Sequence, residues 1–158
     1  SLYDSFEKGK LHRNFMGYSS SKTQLMIGLG VSSISDSWYS FAQNVKTIED
    51  YYQLLDTNTI PVFRGHVLTD EDLIIRRHIL NLMCQFETSW ANPKNYFEEI
   101  PEVVSQLKEM EKDGLVNFIP DGIQITEEGK PFVRNICMAF DLLLKRKAPD
   151  TALFSMTV

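Results

Sequence analysis

Three polar side chains crowd one short stretch: Arg13, Asn14 and Tyr18 flank Phe15, Met16 and Gly17. A guanidinium, a carboxamide and a phenol beside a glycine could hold a polar ligand. They stand just before a glycine-bearing apolar run, and ligand-binding groups commonly gather in loops next to strand ends. The same groups could equally tie the loop down by bonding to backbone. Elsewhere the chemistry is sparse. The histidines His12, His66 and His78 are scattered, and none stands four residues from another histidine or a cysteine, as a zinc site would require. Cys84 and Cys137 form no CxxC pair and no disulfide framework. No GxSxG and no Walker loop is present. The carboxylates Glu98, Glu99, Glu102, Glu109 and Glu111 read as a solvated surface rather than an acid and base pair.

The run at 25–34, with Gly28 and Gly30, reads as a buried strand of an α/β sheet. A GxG pair without a third glycine and a following helix is no dinucleotide fingerprint. Thr47, with Asp50 three residues on, starts a helix that carries Tyr51, Leu54 and Leu55 and breaks before Pro61. Thr69 starts the clearest helix. Asp70, Glu71 and Asp72 fill its first turn, where negative charge meets the positive dipole end. Ile75, Ile79, Leu82, Met83 and Phe86 follow at helical spacing.

A further helix runs between Pro101 and Gly114, with Val103, Val104, Leu107 and Met110 inward. Two β-rich runs around Pro120-Asp121-Gly122 predict a hairpin. Thr126 is expected to cap a last helix with Phe132, Val133, Ile136, Phe140 and Leu143 on one face. Helix, hairpin and helix together predict a winged-helix-like unit in an α+β, mainly helical chain. The run at 151–158 has no period and reads as a tail.

Composition narrows the classes. The 158 residues suit one medium domain, or one domain and an arm, able to bury roughly 70% of the unfolded surface. The net charge of −5 argues against a nucleic-acid footprint. So does the helix at 101–113, where Glu102, Glu109, Glu111 and Asp113 outnumber Lys108 and Lys112. No apolar run approaches the ~20 residues of a membrane span. The cysteines, each in an apolar helical stretch, fit a reducing cytoplasm. Residues 1–10 lack a signal-peptide core, and the absence of a starting Met suggests excision from a longer chain.

The stretch Leu11-His12-Arg13-Asn14-Phe15-Met16-Gly17-Tyr18 resembles the "LHRNFQGYT" of the oxygen-independent coproporphyrinogen III oxidases. The run from Gly28 to Ser35 resembles their "GFGVTSIS". Ala42-Gln43-Asn44, Arg64-Gly65, Asp72, Arg76-Arg77, Leu82-Met83-Cys84-Gln85-Phe86, Arg134-Asn135-Ile136 and Phe140-Asp141 continue the likeness in order. The resemblance implies a C-terminal portion of a radical-SAM enzyme that decarboxylates coproporphyrinogen III oxidatively to protoporphyrinogen IX in haem synthesis.

It further implies that residues 1–45 close the radical-SAM barrel with one or two strands and an active-site loop, and that 46–150 form the C-terminal helical domain. S-adenosylmethionine and a [4Fe-4S] cluster would serve the full-length enzyme. None of the cluster's three cysteines is present here, so the chain alone should be inactive. Ile34 and Phe15 match residues that contact S-adenosylmethionine. Met16, the third cofactor-binding candidate, stands where the family usually has glutamine, and a thioether accepts hydrogen bonds weakly and donates none. Arg13 is the candidate for the carboxylates of the substrate, with Arg76 and Arg77 behind it. Two other readings stand beside this one. One is a haem-chaperone relative of the same superfamily, which generally lacks the block at 13–18. The other is a winged-helix interaction module without catalysis.

Overall fold

The computed structural model describes residues 1–142 and residue 146. The chain divides into two compact units, Ser1–Leu73 and Ile74–Val158. The expected tail at 151–158 and Leu143 lie outside the described residues.

The first unit opens with α1 (Leu2–Glu7), capped by Ser1, whose hydroxyl accepts from the N–H of Asp4. A hairpin of β1 (His12–Asn14) and β2 (Gly17–Ser19) follows. Four antiparallel strands then form one sheet in sequence order: β3 (Leu25–Met26), β4 (Ile34–Ser37), β5 (Ser40–Asn44) and β6 (Val62–Val67). Helix α2 (Ile48–Asp56) interrupts the last connection. Thr47 caps it as expected, accepting from the N–H of Asp50 at 3.3 Å and donating to its carboxylate at 2.6 Å.

The single buried strand expected at 25–34 does not form. Strand geometry covers Leu25–Met26 and resumes at Ile34, with a loop between them. Ile27 and Leu29 are 67% and 83% exposed. Gly30 and Ser32 sit at φ +96° and +58°, outside the extended region of a regular strand. Side chains take up the loop's backbone groups. Asn44 donates to the carbonyls of Gly28 and Gly30 at 3.2 and 2.8 Å. The hydroxyls of Ser35 and Tyr51 accept from the N–H groups of the same two glycines. A Cβ on Gly28 would lie 2.8 Å from the carbonyl oxygen of Ile34, so glycine lets the loop close onto β4.

Helix α3 (Asp70–Gln85) starts in the first unit's range and ends in the second's. The second unit continues with β7 (Glu87–Ser89), α4 (Ile100–Lys112), β8 (Val116–Ile119), β9 (Gly122–Ile125) and α5 (Val133–Met138). The expected order of helix, hairpin and helix is present. Strand β7 adds a third, unexpected strand, giving the order β7-β9-β8. Leu82, Val103, Leu107, Val116, Ile123, Ile136 and Phe140 are fully enclosed and form the core.

The last helix starts later than expected. The hydroxyl of Thr126 donates to the carbonyl of Gly114 at 2.7 Å and accepts from the N–H of Gly129 at 3.0 Å, so it ties a turn. A 3-10 turn at Lys130–Phe132 then leads into α5 and leaves Phe132 47% exposed. Strands are also more numerous than the one or two expected before the hairpin. Nine occur among the described residues, within an α+β chain that holds more helix than strand, as expected.

His78 is 1% exposed inside this core and stacks on Phe140 at 5.2 Å. Its Nε2 lies 2.7 Å from the carbonyl oxygen of Asn95, which can only accept. In the neutral ring Nδ1 accepts from the hydroxyl of Thr88 at 2.7 Å, and that hydroxyl accepts from Asn81. The network suits a neutral ring. Burial holds the pKa of His78 below 6.5, against the bond to Asn95 and with help from the charge of Arg77.

Two outcomes follow from these contacts. An unfolded histidine takes a proton near pH 6.5 while the folded one resists. The stability tied to His78 should therefore be complete above about pH 6.5 and fall as the pH drops below it. In thermal melts His78→Gln should flatten that decline and cost about 1–3 kcal/mol at neutral pH. A decline that persists unchanged in the variant would assign it to other groups. Asn44→Ala should speed amide exchange at Ser32, whose N–H bonds to the carbonyl of Val45, and leave Ile123 in the other unit unaffected. Unaltered exchange at Ser32 would show that the loop holds without Asn44.

Candidate functional site

Residues directly opposed in an antiparallel pair share a face of the sheet. Ile34 opposes Gln43, which opposes Arg64. Asp36 opposes Phe41, which opposes His66. These six residues therefore lie in two adjacent rows on one face. The edge of the Phe15 ring meets Phe41 at 5.1 Å and 86°. The turn of the β1–β2 hairpin thus reaches the face that carries Ile34.

Of the residues singled out from sequence, Phe15 and Ile34 share this surface. Phe15 is 53% exposed and Ile34 is half-buried at the start of β4. Met16 stands at the tip of the hairpin turn, 84% exposed, with its N–H bonded to the side-chain oxygen of Asn14 at 2.9 Å. Asn14 therefore serves the turn, the plainer of the two roles open to it. Arg13 opposes Tyr18, and its guanidinium lies 5.6 Å from the centre of that ring. Its Nε is buried without a hydrogen-bond partner. Arg77 is turned to Asn95, donating at 2.7 Å.

Three residues of the face and one carboxylate of α3 gain roles that local spacing does not suggest. Arg64 Nε donates to the side-chain oxygen of Gln43 at 2.9 Å, and the Gln43 amide donates to the carbonyl of Ser32 at 3.3 Å. Nε2 of His66 lies 3.1 Å from a carboxylate oxygen of Asp72, which also accepts from the N–H of Thr69 at 2.9 Å. Asp72 is buried, which alone would raise its pKa. The bonds from Thr69 and His66 and the charge of His66 outweigh that and hold it below 3.8. One carboxylate thus caps α3 and anchors an imidazole of β6. The β5–β6 pairing across the inserted α2 brings these groups together, and only that long-range register reveals them.

Cys84 and Cys137 are both buried in the second unit, and the thiol of Cys137 points to the carbonyl of Ile79. Two such thiols do not fit a cluster site that needs three cysteine ligands. Among the described residues no three His, Cys, Asp or Glu side chains gather to hold a metal ion. Among them, too, no helix is long and apolar enough to cross a membrane.

No protein-family model matches the chain. It is 38% identical to the oxygen-independent coproporphyrinogen III oxidase of Escherichia coli over 146 residues, 89% of this chain and 32% of that protein. The Synechocystis protein of the same name is 35% identical over 150 residues, and the Helicobacter pylori protein 32% over 149. In three dimensions the chain is similar to the coproporphyrinogen III oxidase of Escherichia coli, described as a radical SAM enzyme. The TM-score is 0.84 at 36% identity, over 91% of this chain and 34% of that one. The chain spans about a third of the length of the relatives it matches. Sequence and fold together relate it, over nine-tenths of its own length, to a one-third portion of the oxygen-independent coproporphyrinogen III oxidases.

Proposed function

We propose that this chain is the C-terminal portion of an oxygen-independent coproporphyrinogen III oxidase acting in the cytoplasm. In this reading residues 1–45 complete the barrel and its active-site loop. Residues 46–150 cover the barrel and shape a cleft for coproporphyrinogen III. The observation that carries the reading is the TM-score of 0.84 at 36% identity to an enzyme of that name. The collinear blocks from Leu11 to Asp141 support it.

S-adenosylmethionine, when bound, supplies the radical step, and the chain's residues position and shield it. Phe15 and Ile34 fit such a ligand, since an exposed ring and a β-branched side chain on one face offer an apolar seat for an adenine. The iron–sulfur cluster belongs to cysteines outside this sequence.

The activity is tested with the full-length protein, supplied anaerobically with S-adenosylmethionine, a reductant and coproporphyrinogen III. Protoporphyrinogen IX is the expected product, whereas haem binding without turnover would favour the chaperone relative. Ile34→Asp should weaken S-adenosylmethionine binding by about tenfold or more, because an unpaired carboxylate would enter an apolar contact. Ile34→Val should bind nearly as the parent does. Unchanged affinity in a folded Ile34→Asp protein would remove Ile34 from the site.

A further inference from the structure

We infer that Arg64 and His66 form a carboxylate-binding pair on the sheet face that Phe15 reaches. They stand two residues apart on β6, so both side chains leave the same face about 7 Å apart along the strand. Each is exposed, and each is held from behind by a different partner. Gln43 takes Nε of Arg64 and is itself fixed to the carbonyl of Ser32, leaving the guanidinium's terminal nitrogens as an open fork. Asp72 takes Nε2 of His66, whose side chain stays 48% exposed. Arg64 has no carboxylate partner among the described residues.

An ordinary surface arginine swings freely and loses side-chain entropy when it binds. Here both groups are already oriented, which lowers that cost. The charges favour an anion. Asp72 is already committed to His66 and to the N–H of Thr69, and the positive charge of Arg64 remains over. Asp36, the other acid on the face, is buried and already engaged. Phe41, opposite His66 in the same row and next to Phe15, supplies an apolar flank. An arginine fork, an anchored imidazole and an aromatic flank fit a carboxylate carried on an apolar or aromatic body.

This inference rests on the proposed function, in which two ligands carry carboxylates: the substrate through its propionates and S-adenosylmethionine through its amino-acid end. The test uses the full-length protein with Arg64→Gln, His66→Gln and the double variant, each checked for parental secondary structure and melting. Two quantities are read: KM for coproporphyrinogen III at saturating S-adenosylmethionine, and the Kd of S-adenosylmethionine. A KM raised about 10- to 100-fold in the double variant, with kcat and the Kd little changed, identifies a substrate propionate as the ligand. A Kd raised by a similar factor, with the porphyrinogen KM unchanged, identifies the amino-acid end of S-adenosylmethionine. Arg64→Lys should restore part of either loss, because a charge without the fork binds less well.

Folded variants in which neither quantity moves more than about twofold overturn the pair. A parent protein that does not turn over coproporphyrinogen refutes the proposed function instead, and the pair then stands or falls on the S-adenosylmethionine arm.

Discussion

The carboxamide of Asn44 is the constraint on which the candidate face depends. Its two amide hydrogens satisfy the carbonyls of Gly28 and Gly30, and its own N–H bonds to the carbonyl of Ser33. One residue at the end of β5 therefore fixes the loop that delivers the chain into β4. The register of β4 on β5 places Ile34 opposite Gln43, and the register of β5 on β6 places Gln43 opposite Arg64. Asn44 is 6% exposed, so these bonds are shielded from competing water.

The two units use buried polar groups differently. In the second, His78 is enclosed among Trp90, Phe97 and Phe140, and both ring nitrogens are occupied. Such a group specifies packing and has nothing left to offer a ligand. In the first, Asp72 is buried but turns its anchored histidine outward, and Gln43 does the same for Arg64. A polar group with a protein partner on one side and an open valence on the other is the arrangement that recognition requires.

Local chemistry made much of this fold legible. Thr47 and Thr69, each followed three residues later by an aspartate, marked the starts of α2 and α3 because hydroxyls and carboxylates satisfy free N–H groups there. Pro101 and Gly114 bracketed α4 for equally local reasons. The run at 25–34 misled because apolar composition looks alike in a buried strand and in a loop held by distant side chains. Nothing near Gly28 announces that Asn44, sixteen residues on, will take its carbonyl. Strand β7 was hidden for a similar reason. It is three residues long and pairs with β9 across more than thirty residues of chain, and Gly122 lacks a side chain that would strike Thr88 at 2.5 Å. At the candidate site, the family likeness pointed to Phe15 and Ile34. The roles of Gln43, Arg64 and His66 emerge only from strand register.

We propose that this sheet face, with Phe15 at its border, belongs to the ligand site of a larger enzyme. The most direct measurement is a crystal structure of the full-length protein, prepared anaerobically with S-adenosylmethionine and coproporphyrinogen III. Ligand atoms are expected within about 4 Å of both Phe15 and Ile34. A structure in which both ligands are bound elsewhere, with other parts of the protein packed against Phe15 and Ile34, would contradict it.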